Sequence, residues 1–329
     1  MTRMMRKIHP LFFVPLFLFL SQTLAGQWLL KDDNLNRITE EKLKSHVYML
    51  SDTTTRGRAT GSAGATISAN YIKHCFQRYG LMTYNGSSFF QSFRTGDVIG
   101  RNVVGMIRGR TYPMEFIVIS AHYDHLGVLN GSVYPGADDN ASGVALLLQV
   151  AELFARRARA GDGPLRSIIF VAYDAKELGL AGSAFFAGTL RVAPSRIMAN
   201  LNIDQIGCTF EPPGRNPEYV LVLGADHPSP DLRMIIDMAN RYYGIGLDID
   251  HTYYGSRNIS NFFFQTGDQI HLAKRNVPSI LFTSGINAHT YKPTDLPSHL
   301  NYTALKKRTQ LLYLVANDLA SRRSWLRRW

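Results

Sequence analysis

One histidine and several acids recur at places where a run of apolar residues ends. Residues 116–120 are apolar up to Ser120, and Ser120-Ala121-His122-Tyr123-Asp124-His125 follows directly. Gly136-Ala137-Asp138-Asp139-Asn140-Ala141-Ser142-Gly143 leads into a second periodic segment. Asp174 to Glu177 follow another apolar run, and Asn202-Ile203-Asp204 closes a third. In open α/β sheets, sites form beyond the carboxyl ends of strands. One imidazole and several carboxylates arriving there from separate strands suit zinc, and paired sites of this kind suit hydrolysis. Each piece is weak alone. A lone histidine after a strand is more often structural, Asp-Asp-Asn is more often a helix cap, and Glu177 read singly is a surface acid. Four such pieces in order, each at a strand end, argue for one site.

The segments that must carry them alternate between the two periodicities. Residues 39–50 read as a helix with Glu40 and Glu41 in its first turn, and a second helix runs to about Tyr79 and stops at Gly80. Residues 116–120, 167–173, 198–203, 219–223 and 279–283 read as buried strands. Residues 140–155, 180–186, 231–243 and 302–320 read as helices. Strands alternating with helices predict an α/β protein with a mainly parallel sheet, in one domain, since no Pro/Gly-rich linker divides the chain after residue 30.

The ordered set resembles the M28 family of zinc exopeptidases, which includes aminopeptidases and glutaminyl cyclase-like enzymes. The resemblance runs from about Ile38 to Ala320. It rests on Arg56-Gly57-Arg58-Ala59-Thr60-Gly61-Ser62, Arg101-Asn102-Val103-Val104-Gly105, Ala121-His122-Tyr123-Asp124-His125-Leu126-Gly127 and Gly136 to Gly143. Glu177-Leu178-Gly179-Leu180-Ala181-Gly182-Ser183, Asn202-Ile203-Asp204 and Pro293-Thr294-Asp295 continue it. The resemblance implies a single domain over residues 26–329, with helices on both faces of a mixed, mostly parallel sheet. It implies that His122 and Asp204 bind one metal, that Asp139 bridges two, and that Glu177 binds the other. Asp124 would orient the imidazole of His122, and Asp138 would have no ligand role and could serve as a cap.

Two positions depart from the family pattern. The general base, normally an acid before Glu177, is Lys176, which as a cation cannot accept a proton near neutral pH. Burial beside a metal would lower its pKa, while its charge would oppose the metal. The last histidine ligand, four residues before Asp295, is Tyr291, with His289 two residues earlier as a substitute or as a plain loop histidine. Asp268-Gln269 stands where the family has Asp-His. The expected cofactor is therefore Zn2+, as one or two ions. The expected function is removal of N-terminal residues from peptides, and the alternative is a degenerate, non-catalytic M28-fold protein that binds a peptide or other ligand. Tyr253, Tyr254 and Phe262 to Phe264 could line a side-chain pocket, although core packing is the commoner fate of three consecutive phenylalanines.

Composition limits the rest. At 329 residues and 45% hydrophobic, the chain has enough apolar content for a sizeable core. Arg3, Arg6 and Lys7, an apolar run from Leu11 to Leu20 and small residues from Ser21 to Gly26 read as a secretory signal peptide over residues 1–25. Export to the periplasm or the outside of a bacterial cell is the expectation. That run is too short to give a stable membrane span. The net charge of +11 falls to +8 without the three leader cations. It is spread out, so it reads as a soluble basic protein with no nucleic-acid partner. Arg322, Arg323, Arg327 and Arg328 with Trp325 and Trp329 are the one tail cluster that could attach to a surface. Cys75 and Cys208 could pair in an exported protein or remain as buried thiols.

Overall fold

Thr39 caps α1 (Glu40–Leu50): its hydroxyl accepts a hydrogen bond from the Lys42 N–H at 3.3 Å, and Glu40 and Glu41 occupy the first turn. In the computed structural model, which describes residues 32–84, 86–209, 216–224 and 229–327, α2 (Ala63–Tyr79) follows and ends at Gly80 with φ +79°. Only a residue without Cβ takes that left-handed cap at no cost. The strands β1 (Met82–Thr83), β2 (Phe90–Thr95) and β3 (Val98–Ile107) come next, with β1 and β2 each antiparallel to β3. Then come β4 (Tyr112–His122), a small hairpin of β5 (Gly127–Leu129) and β6 (Ser132–Tyr134), α3 (Gly143–Arg159) and β7 (Arg166–Tyr173). The remaining elements are α4 (Ala181–Gly188), β8 (Ile197–Ile203), β9 (Tyr219–Leu223), α5 (Pro230–Tyr242), β10 (Asp248–Asp250), α6 (Arg257–Thr266), α7 (Ile270–Ala273), β11 (Ser279–Thr283) and α8 (Tyr302–Ser321).

The large sheet runs β1-β3-β7-β4-β8-β11-β9-β10, with β2 also paired to β3. Its centre, β7, β4, β8 and β11, is parallel, while β3 and β9 join antiparallel. The sheet is therefore mixed and mostly parallel at its core. Alternate residues separate its two faces. Ile117, Ile119 and Ala121 of β4 and Ile168, Phe170 and Ala172 of β7 pack with α1, α2, α3 and α8. Phe116 and Val118, with Ile169, Val171 and Tyr173, pack with α4 and α7 on the other face. Both faces of the central strands are covered, which is why those strands read as continuous apolar runs.

The five strands expected from the sequence are present, and the edge hairpin β2–β3 is additional. The helix expected from residue 140 begins at Gly143, because Asp139 and Asn140 have non-helical backbone. Cys75 and Cys208 are buried free thiols. Of the C-terminal cluster, Arg328 and Trp329 lie outside the described residues. Trp325 packs against the core, and Arg327 bonds Asp231 through its N–H and its guanidinium, both at 2.8 Å. The expected leader, residues 1–25, lies outside the described residues. Among the described residues, no helix is long and apolar enough to cross a membrane.

Candidate metal centre

The parallel register sets the carboxyl ends of β4, β7 and β8 side by side: His122 is opposite Tyr173, and Ala121 is opposite Ile203. His122 is the last residue of β4, Glu177 lies in the turn after β7, and Asp204 directly follows β8. Asp139 reaches the same place from the turn before α3. The His122 Nε2 lies 3.1 Å from Asp204 Oδ1 and 3.3 Å from Asp139 Oδ1. Ligand atoms of His122, Asp139 and Glu177 all lie within 4.8 Å of one another.

Four anchors hold these side chains. The Asp295 carboxylate accepts the N–H groups of Asp138 at 2.8 Å and Asp139 at 3.0 Å. Asn140 donates to Ile203 O at 2.9 Å, while its own Oδ1 accepts from Gly143 and Gln205 N–H groups at 3.1 Å, so it ties the start of α3 to the end of β8. Asp138 has a tying role of the same kind rather than a capping one. Its carboxylate accepts from Gly207 N at 2.6 Å, Cys208 N at 3.0 Å and Asn287 Nδ2 at 2.8 Å. Arg58, fully buried, donates to Tyr123 O at 2.6 Å, Leu50 O at 3.0 Å, Gly136 O at 2.6 Å and Asp139 O at 3.2 Å, and also to Pro135 O.

Asp124 supports two neighbours at once. Its carboxylate accepts the N–H groups of Lys176 and Glu177, each at 3.0 Å. The His122 Nδ1 is nearer the main-chain oxygen of Asp124, at 3.1 Å, than its carboxylate, at 3.7 Å. The orienting acceptor is therefore the backbone, and the carboxylate mainly fixes the Lys176–Glu177 turn.

Charge around the cluster is strongly perturbed. Burial raises the Glu177 carboxyl to about 7, with Asp139 adding to the rise and Lys176 opposing it. Burial opposes ionisation of Asp139 too, but Lys176, His122 and His125 outweigh it and hold that group below the usual range. Burial works against a charged Lys176, yet Asp139, Asp204 and Glu177 together hold its ammonium well above the ordinary lysine range. The lowered pKa expected for a buried lysine is thus reversed by three carboxylates. Its Nζ stands 3.1 Å from Glu177 Oε1, 3.7 Å from Asp139 Oδ1, 4.0 Å from Asp204 Oδ2 and 3.3 Å from the Tyr291 hydroxyl.

Ligand atoms of His122, Asp139 and Glu177 lie close enough to share one zinc ion, and Asp204 adds a carboxylate oxygen 3.1 Å from His122 Nε2. Asp139 is fully buried, yet neither carboxylate oxygen has a hydrogen-bond partner among the described residues. Ligand atoms about 2.0–2.1 Å from a tetrahedral ion lie roughly 3.3 Å apart, which matches the 3.1 and 3.3 Å separations at His122 Nε2. The structure does not bring His289 to this group. Its Nδ1 pairs with Thr294 Oγ1 at 3.0 Å and its ring stacks on His299 at 4.1 Å. Tyr291 is present instead, lying 6.2 Å from the buried His125 ring and nearly parallel to it. Roles for Arg58 and His125 were not visible in the sequence beyond their place in Gly-bounded motifs.

The cluster opens onto a cleft of about 370 Å³ lined by Lys176, Asp204, Phe262, Phe263, Leu281 and Ile286, among others. Phe262 is 63% exposed, and the Phe263 ring stacks on Tyr253 at 4.3 Å. Phe262 therefore walls the cleft, while Phe263 lines it and packs on the buried cluster around Tyr253.

An α/β sheet that gathers a histidine and carboxylates at its carboxyl edge defines a candidate metal site on a mixed α/β fold. The sequence model of peptidase family M28 matches residues 102–316, and the chain belongs to that family. Curated relatives named probable zinc metalloprotease include one from Pyricularia oryzae, 37% identical over 132 residues, or 39% of this chain and 25% of that protein. Another, from Pyrenophora tritici-repentis, is 26% identical over 258 residues, or 72% of this chain and 56% of that protein. The chain spans between a quarter and just over half of the length of these relatives. The Legionella pneumophila LapA aminopeptidase has the same fold, with a TM-score of 0.68 and 20% identity over 91% of this chain and 75% of that one. So does the zinc aminopeptidase BSAP from Bacillus subtilis, with a TM-score of 0.67 and 14% identity over 87% of this chain and 96% of that one. Porphyromonas gingivalis glutaminyl cyclase is as similar in fold, with a TM-score of 0.67 and 15% identity over 85% of this chain and 98% of that one.

Proposed function

We propose that the protein is a zinc-dependent exopeptidase of the aminopeptidase type that removes apolar N-terminal residues from peptides. The observation that carries this reading is the join between the His122–Asp139–Asp204 group and the apolar wall of Phe262, Phe263, Leu281 and Ile286. His122, Asp139 and Asp204 would hold the ion, which when bound would polarise the scissile carbonyl and lower the pKa of a water. The cleft accepts the first side chain of the peptide, and Asp204 and Glu177 supply negative charge for its amino terminus. The Lys176 ammonium and the Tyr291 hydroxyl stand at the cleft wall as hydrogen-bond donors for a carbonyl oxygen. Lys176, being protonated, takes no proton from water. Glu177, beside His122 and Asp139, is the carboxylate placed to do so. The basic, apolar and small-residue order of residues 1–25 supports export as part of the same reading.

The cation at the base position favours a second reading, a peptide-binding member of the fold without turnover. Assay of zinc-loaded protein on aminoacyl anilides separates the two. Turnover of leucyl and phenylalanyl substrates, faster than lysyl ones and lost in His122→Ala together with bound zinc, is the expected result. A folded, zinc-loaded protein with no turnover on any of them leaves the binding reading standing.

A further inference from the structure

We propose that the side chain of Lys176 is a built-in substitute for a second metal ion, so that this site takes a single zinc and the lysine supplies the other positive charge. The inference deepens the exopeptidase reading, and rests on it only for the presence of the first zinc.

Geometry carries the assignment. The Lys176 Nζ faces three carboxylates, those of Asp139, Glu177 and Asp204, at 3.7, 3.1 and 4.0 Å, and its side chain is only 9% exposed. An ammonium is donor-only and offers no lone pair to a metal. A second ion on Asp139 and Glu177 would therefore have to displace this cation or lie against it.

Ligand supply points the same way. A zinc site needs at least three protein donors. With His289 turned to Thr294 and His299, the second position has Asp139, Glu177 and a tyrosine whose hydroxyl is already engaged with Lys176. Charge balance agrees. Asp139, Glu177 and Asp204 bring three negative charges, which one divalent ion and one ammonium neutralise. Two divalent ions with the lysine would leave a positive excess in a site where unbalanced charge is costly. The single positive charge of Lys176 is also fixed to the chain, so it cannot be lost to a chelator.

The test is metal stoichiometry, measured on the full chain by equilibrium dialysis against zinc and by elemental mass spectrometry, with circular dichroism confirming the fold of each variant. Wild-type protein is expected to bind one tight zinc per chain, and Lys176→Arg the same. Lys176→Gln is expected to bind a second zinc at least ten-fold more tightly than wild type does, and Lys176→Glu with Tyr291→His is expected to hold two. Should the double variant fail to fold, Lys176→Gln decides alone. Two tight zinc ions in the wild type, or a folded Lys176→Gln protein that stays at one, overturns the inference and leaves the exopeptidase reading intact. One zinc without turnover overturns that reading and supports the inference. No zinc in folded wild type overturns both.

Discussion

Glu177 and Asp139 are neighbouring carboxylates with opposite fates. Asp139 is fully buried without a hydrogen-bond partner among the described residues, and cations hold it ionised. Glu177 has Lys176 as its own counter-ion at 3.1 Å, so it does not depend on a metal for charge balance. Glu177→Gln is therefore expected to keep its single zinc while turnover falls by about 10²–10⁴-fold, the usual contribution of a proton acceptor. Asp139→Asn is expected to lose the zinc itself. Metal analysis beside kcat on both variants checks this, and loss of zinc from Glu177→Gln would make that residue a ligand instead. Glu177 was legible in the sequence because it stands just after an apolar run, and Asp139 because it opens the periodic segment that follows it. The state of Lys176 was not, since it depends on three carboxylates brought together from different elements.

At the scale of elements, the turn before α3 is organised by a residue outside the ligand set. Arg58 satisfies five main-chain carbonyls, those of Leu50, Tyr123 and three residues of the 135–139 turn. Arg58→Met removes every donor and leaves buried acceptors unpaired, so unfolding free energy is expected to drop by ~3–5 kcal/mol. Zinc affinity should fall as well, because the Gly136 and Asp139 carbonyls lose their support. Denaturant midpoints with and without zinc measure both effects, and an unchanged midpoint would remove Arg58 from this role. Close packing matters on the other side of the site. A Cβ on Gly182 would stand 2.0 Å from Asp174 O and 2.5 Å from Asn102 Oδ1, so α4 can lie this near β7 only with glycine there. The central strands were legible because both of their faces are buried. The β2–β3 hairpin was hidden because it buries polar groups: Asn102 donates to Gln91 Oε1 at 3.0 Å, and neither residue reads as core.

For the whole molecule, the packing of α1 on the body of the fold carries a pH dependence. His46 is buried, its Nδ1 is 2.7 Å from the Tyr71 hydroxyl, and burial pushes its pKa down to about 4, with Glu152 opposing and Arg78 and Lys42 assisting. The unfolded chain takes up this proton near 6.5 and the folded chain only near 4, so the unfolded state binds more protons between those values. His46's contribution is therefore complete above pH 6.5 and declines as pH falls toward 4, by roughly 3 kcal/mol at most. His46→Gln should narrow the difference in Tm between pH 7 and pH 5. An equal difference in both proteins would show that another group controls acid stability.

The anchors on residues 137–142 have one more consequence. Asp295, Asn140 and Arg58 fix that turn through hydrogen bonds supplied entirely by the chain. Little conformational freedom remains to be surrendered when an ion enters, so affinity is not eroded by ordering the loop. Zinc fingers are the opposite case, because their chain has no fold until the metal arrives. Loading is therefore expected to follow folding as a separate event, so that chelation of zinc should leave the circular dichroism spectrum unchanged.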